Sequence, residues 1–280
     1  MPTIESTNGV QLATYDFGGV GPTLVLSHAT GFHARVYDAM ARHLAERFRC
    51  VGLDYRAHGD SSVPASETFD WHGYGDDALA FTRHLDTRPL FGFGHSMGGA
   101  TLLMTELNAP GTFSALVVYE PIVFPDDEPS PQGPENSLAS GARRRRSTFA
   151  SYQAAIDNYA SKMPLGAWRS DVLADYVNGG FRPNDTGEVT LKCAGEHEAR
   201  TFEQGGTHGT FQRLENIQCP VLVITGTLDI PGPGNAGELA AGLIPKGHHL
   251  RFDQLTHFGP MEDPALIANT AADFFASVVS

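Results

Sequence analysis

Three things are scarce in this chain: cysteine, positive charge and long apolar runs. There are three cysteines in 280 residues, Cys50, Cys193 and Cys219, odd in number and far apart. No C-x-x-C pair suggests zinc or redox chemistry, and buried free thiols in a reducing compartment are the simplest expectation. Lys and Arg total 19 against 32 Asp and Glu, a formal net charge of −13. Such a surface repels phosphate backbones and anionic lipid, so neither nucleic acid nor membrane is expected as a partner. No window approaches the length of a membrane span. Met1 to Val10 has neither the basic patch nor the apolar stretch of a signal peptide, which makes a cytoplasmic location the expectation. H-E-x-x-H spacing is missing as well, so no metal is called for.

What is present is an ordinary globular composition, 41% hydrophobic and 18% charged, enough to bury a large core. The length suits one large α/β domain or two small ones. Short apolar runs alternate with helix-like segments, the pattern of a mostly parallel sheet covered by helices on both faces. Strands are expected at Gln11–Phe17, Thr23–His28, Arg49–Tyr55, Leu90–Gly94, Ala115–Tyr119, Val221–Thr225 and Leu250–Gln254. Helices are expected near Arg35–Arg47, Gly73–Leu85, Met97–Asn108, Ala236–Leu243 and Pro264–Val279.

The alternation breaks between Ile122 and Leu214, after the breaker-rich Pro125-Asp126-Asp127-Glu128-Pro129-Ser130-Pro131. About 90 residues is far beyond an ordinary loop, so this stretch should carry structure of its own. It reads as a mainly helical cap, residues 122–214, inserted into a core of 1–121 and 215–280. Such a cap would lie over the carboxyl ends of the strands, where open α/β sheets place their sites.

Gly94-His95-Ser96-Met97-Gly98 matches G-x-S-x-G with an apolar strand running in and a helix running out. The glycines let strand and helix approach while Ser96 takes a strained backbone conformation with its hydroxyl exposed, the requirement for a serine nucleophile. An idle serine in a glycine-rich turn is the competing reading, and the strand–turn–helix context argues against it. The overlapping Gly92–Gly98 run is one residue too long for a dinucleotide fingerprint. Met97 N–H, directly after Ser96, is the first expected oxyanion donor, and a second is expected from the loop after an earlier strand.

That loop, His28-Ala29-Thr30-Gly31-Phe32, resembles the His-Gly-x segment of the α/β-hydrolase superfamily with Ala29 in a glycine position. Asp54-Tyr55-Arg56-Ala57-His58-Gly59-Asp60-Ser61 similarly resembles its D-x-R-G-H-G-x-S stretch, read here as a structural network rather than catalytic. The resemblance covers roughly Pro2–Pro121 and Glu215–Val279. It implies Thr30 as the second backbone donor, with Phe32 the alternative. It also implies a base on the loop after the last strand, which is His257 in His257-Phe258-Gly259-Pro260-Met261-Glu262-Asp263-Pro264. His248 and His249, at the start of the expected strand, are set aside, and His95 is read as packing or substrate-facing. Two carboxylates could orient the base: Asp229, in a G-x-x-D after strand Val221–Thr225, is preferred, and Glu120, after strand Ala115–Tyr119, is the alternative.

The implied chemistry is cofactor-free acyl transfer on a small or medium carboxylic ester or lactone. C–C hydrolase, amidase and perhydrolase activity reuse the same residues, and a non-catalytic small-molecule receptor reuses the fold. Haloalkane or epoxide chemistry needs an aspartate where Ser96 stands. Arg143-Arg144-Arg145-Arg146 is read first as a solvated helix face. The sharper reading has one of these arginines paired with a substrate carboxylate or with cap acids such as Glu196 or Glu198. Association into a homodimer is left open.

Overall fold

The computed structural model describes residues 2–125, 136–206, 208–227 and 233–279. Eleven strands are described: β1 (Thr3–Glu5), β2 (Gln11–Gly18), β3 (Thr23–Ser27), β4 (Arg49–Leu53), β5 (Leu90–His95), β6 (Ala115–Tyr119), β7 (Thr148–Phe149), β8 (Phe181–Pro183), β9 (Val189–Leu191), β10 (Val221–Thr225) and β11 (Gly247–Arg251). Eight of them form one sheet in the order β1-β2-β4-β3-β5-β6-β10-β11. Every pairing from β4 to β11 is parallel, and β1 and β2 close the other edge antiparallel.

The helices are α1 (Asp38–Leu44), α2 (Trp71–Leu85), α3 (Met97–Asn108), α4 (Ser137–Arg144), α5 (Tyr152–Ala160), α6 (Ser170–Gly180), α7 (Gly195–Glu203), α8 (Gly237–Leu243), α9 (Gly259–Glu262) and α10 (Pro264–Val279). Asp70 starts α2 by accepting the His72 N–H, Ser151 starts α5 by accepting the Ala154 N–H, and Pro264 opens α10 where its missing N–H costs nothing.

The central strands are apolar throughout because both faces are covered. Leu24, Leu26, Phe93, Val117, Tyr119, Leu222 and Ile224 pack with α1 and α10 on one face. Their neighbours Val25, Leu116, Val118, Val221 and Val223 pack with α2, α3 and α8 on the other, the alternation a strand imposes on its side chains.

Two expectations are corrected. The last strand runs Gly247–Arg251, three residues earlier than expected, because Gly247 N–H turns back onto the Ile244 carbonyl and Val221 pairs with Gly247. His248 and His249 therefore lie inside an exposed edge strand, and His249 Nε2 sits 3.0 Å from Thr225 Oγ1. The stretch between β6 and β10 holds not only α4 to α7 but a small antiparallel sheet, β7-β9-β8, built where Thr148-Phe149 and Val189-Thr190-Leu191 offer β-branched and aromatic side chains.

Charged groups inside the core are tied down. Arg56 and Asp77 form a pair at 2.7 Å with side chains 2% and 0% exposed; Ser6 Oγ and the Arg56 N–H also donate to Asp77. Asp54 accepts from the N–H groups of Ala34 and Asp60 and from Tyr15 Oη. The three cysteines are buried and free. No helix among the described residues is long and apolar enough to cross a membrane.

Five histidines are buried: His28, His33, His58, His95 and His208. Burial lowers the pKa of each, and pushes His33 and His208 down to about 4. With the unfolded histidine near 6.5, the unfolded chain binds more protons than the folded one between pH 6.5 and 4. Stability is thus complete above about pH 6.5 and is lost as pH falls toward 4, on the order of 3 kcal/mol for a histidine displaced this far. Melting followed by circular dichroism should hold steady from pH 8 to 7 and drop by about 10 °C or more between pH 6.5 and 4. A flat profile across that window would show these rings charged in the fold.

Candidate active site

Ser96 stands between β5 and α3 at φ 57°, ψ −119°, a conformation L residues rarely adopt. The turn is held from both sides: Ser96 N–H bonds the Tyr119 carbonyl at 2.9 Å, and the Ser96 carbonyl accepts from Ala100 and Ile122. Gly98 is required sterically, since a Cβ there would lie 2.2 Å from the Ser27 carbonyl oxygen, a backbone atom of the neighbouring strand. The strain is thereby locked by close packing of α3 against β3, and Ser96 is 6% exposed.

The loop after β11 brings His257 against His95, the residue before Ser96, with the two rings 4.8 Å apart. His257 Nδ1 lies 2.6 Å from Glu120 Oε2. A carboxylate oxygen only accepts, so the proton sits on Nδ1 and Nε2 keeps its lone pair, the form a general base needs. Glu120 is 3% exposed, at φ 42° just past the end of β6, and its other oxygen accepts the Gly226 N–H at 2.8 Å. The left-handed residue turns the side chain off the strand axis toward the end of β10. Of the two carboxylates considered, Glu120 thus holds the imidazole; Asp229 lies outside the described residues.

The His257 loop is fastened at three successive carbonyls. Leu255 accepts from Thr227 N–H, Thr256 from Tyr119 Oη at 2.6 Å, and His257 from His95 Nε2 at 2.8 Å. His95 is therefore neither mere packing nor substrate-facing. It is fully buried, donates through Nε2, and offers Nδ1 to Tyr37 Oη at 3.2 Å. Burial, then the neighbouring His257, hold its pKa well below the usual value, so it stays neutral. Its ring centroid is 4.8 Å from that of His257.

Of the expected backbone donors, Phe32 N–H is spent on the Ala29 carbonyl at 3.1 Å. The N–H groups of Thr30 and Met97 make no hydrogen bond within the described residues, and Thr30 Oγ1 meets Met97 Sδ at 3.5 Å. Met97 also opens α3, where unpaired N–H groups and the helix dipole favour negative charge.

The family described as alpha/beta hydrolase matches residues 24–270. The chain belongs to the alpha/beta hydrolase family. It is 32% identical over 113 residues to the monoglyceride lipase of Homo sapiens, covering 38% of this chain and 36% of the lipase. It is 30% identical over 172 residues to the monoacylglycerol lipase of Mycolicibacterium smegmatis, covering 52% of this chain and 60% of that one. The matched stretches thus span less than two thirds of these relatives' own lengths. Among solved structures it is similar to E-2-(acetamidomethylene)succinate hydrolase, with a TM-score of 0.81 at 18% identity over 98% of this chain and 99% of that one, a likeness of fold.

In this chain the arginine run is not one helix face. α4 ends at Arg144 and Arg145 turns extended, at φ −62°, ψ 132°. Arg143 stays outside and pairs with Glu196 and Glu203 at 2.7 and 2.6 Å, whereas Arg145 reaches inward to Glu198 at 2.6 Å. Arg146 lies over the Phe149 ring at 4.4 Å. Two of the four thus pair with acids of the α7 segment. An aromatic group beside His257 has almost no sequence signal: Phe32, Trp168, Tyr176 and Phe258 touch one another in every pairing except Tyr176–Phe258. They come from three distant segments, and only the oxyanion-loop and His257 motifs flanking Phe32 and Phe258 gave any signal.

Proposed function

We propose that this alpha/beta hydrolase cleaves a carboxylic ester or lactone of small to medium size through Ser96, with His257 as base and Glu120 as its orienting acid. The observation that carries the reading is the 2.6 Å contact between His257 Nδ1 and Glu120 Oε2, with the His257 ring 4.8 Å from that of His95, the neighbour of a serine held at φ 57°. Ser96 Oγ attacks the carbonyl carbon as His257 Nε2 takes its proton. The oxyanion is met by the N–H groups of Met97 and Thr30, and the alcohol leaves with the proton from His257. Water, deprotonated by the same nitrogen, then attacks the acyl-enzyme carbonyl and frees Ser96.

The lipase names carried by two curated relatives support an acyl ester as the target bond. In this reading residues 122–214 form the cap that admits the substrate, the core is 1–121 with 215–280, and no cofactor takes part. A cytoplasmic location is part of the proposal. A fluorophosphonate probe followed by peptide mass spectrometry tests it: the adduct is expected on Ser96. A folded protein left unmodified would make the chain a binding protein on a hydrolase fold.

A further inference from the structure

One polar atom in the aromatic group around the base is unpaired. Trp168, just before α6, is 6% exposed. Its ring stands edge-on to Phe32 at 5.3 Å and to Tyr176 at 5.5 Å, and tilted against Phe258 at 5.6 Å. Phe258 in turn lies 5.3 Å from the His257 ring, and Phe32 lies 6.1 Å from His95. The indole is therefore one ring away from the base by one path and one ring away from its support by another. Its Nε1–H is buried and has no acceptor among the described residues. A buried donor in folded proteins is nearly always paired, and an unpaired one beside a reaction centre points to an acceptor brought by a ligand.

A second observation concerns charge. Arg145 contacts this group through Tyr176, its side chain 17% exposed. All of its nitrogens are engaged: Nε with Tyr159 Oη at 3.3 Å, Nη1 with Glu198 at 2.6 Å, and Nη2 with Tyr176 Oη. The guanidinium also lies over both tyrosine rings, at 5.6 and 5.8 Å. Glu198 is 8% exposed and rests directly on the loop of Thr30: a Cβ on Gly31 would fall 2.3 Å from its Oε1. An incoming carboxylate meets the Glu198 carboxylate next to the Thr30 loop, and finds each of the three arginine nitrogens already holding one hydrogen bond.

Resting on the Ser96 reading above, we propose that the site takes uncharged esters in which a flat apolar group carrying one hydrogen-bond acceptor lies against Trp168. Glu198, by occupying Arg145, is the residue that turns away substrates bearing a carboxylate. The aromatic rings provide the apolar contact, and the indole N–H fixes the orientation of the group.

Three p-nitrophenyl esters test this: 3-phenylpropanoate, phenoxyacetate, which places an ether oxygen in the same chain, and the succinate half-ester, which adds a carboxylate. Intrinsic reactivity cancels when kcat/KM ratios are compared between variants. Trp168→Phe is expected to lower the phenoxyacetate-to-phenylpropanoate ratio about tenfold, and Glu198→Gln to raise the succinate-to-phenylpropanoate ratio about tenfold. Adding Arg145→Met to Glu198→Gln should abolish that gain. An unchanged first ratio would mean that the indole N–H faces no substrate; an unchanged second ratio, or a gain that survives loss of Arg145, would overturn the charge gate. Fluorophosphonate labelling of each variant keeps the cases apart: unlabelled wild-type Ser96 sinks the hydrolase reading, whereas labelled variants with unmoved ratios sink this one alone.

Discussion

Replacing Ser96 with alanine is expected to lower kcat by about a million-fold on any ester the protein turns over, an effect of the size seen when a serine nucleophile is removed. The fold should not notice. Ser96 Oγ makes no hydrogen bond within the described residues, and alanine bears the φ of 57° at the same steric cost as serine. The locks on the turn, Ser96 N–H to Tyr119 and the close fit of Gly98 against Ser27, belong to the backbone. Steady-state kinetics with a melting curve checks both halves. A loss below a hundredfold would place the nucleophile elsewhere.

Glu120→Gln should cost about 10⁴ in kcat, although the side chain keeps its shape. Glu120 Oε1 accepts the Gly226 N–H, so a glutamine must place its carbonyl oxygen there and turn its NH₂ toward His257 Nδ1. An NH₂ only donates, so Nδ1 would have to give up its proton to accept. The proton then sits on Nε2, and the imidazole can no longer take the Ser96 proton. Asp229→Asn is expected to stay within about tenfold of wild type, since Glu120 already holds the ring. A larger loss from Asp229→Asn than from Glu120→Gln would transfer the role of acid to Asp229.

Much of this site was legible before the fold. The strand–turn–helix around Ser96 is local, and Leu90–His95 and Met97–Asn108 flank it within a residue of their expected ends. His257 was readable from its place between the last strand and α10. The carboxylate bonded to it is not, because β6 and β10 are parallel neighbours with Tyr119 opposite Ile224. Glu120, just past β6, meets the end of β10 at Gly226, a contact that sequence order cannot show. Its inward placement rests on a positive φ and a bond to Gly226, both products of the packed sheet. The last strand was misplaced for a related reason: an edge strand with one exposed face carries no continuous apolar run, and Gly247-His248-His249 looks like a connection. The inward turn of Arg145 depends on where α4 stops, which four identical residues cannot signal.

The most direct measurement is rapid quenching of a neutral p-nitrophenyl ester reaction, followed by intact-protein and peptide mass spectrometry. The account predicts a burst of one equivalent of p-nitrophenol per chain, with the acyl group recovered on the peptide containing Ser96. It also predicts that Glu120→Gln slows the burst itself, because base and nucleophile are uncoupled in the acylation step. Linear release with no covalent acyl species, or an acyl group on any residue other than Ser96, would contradict it.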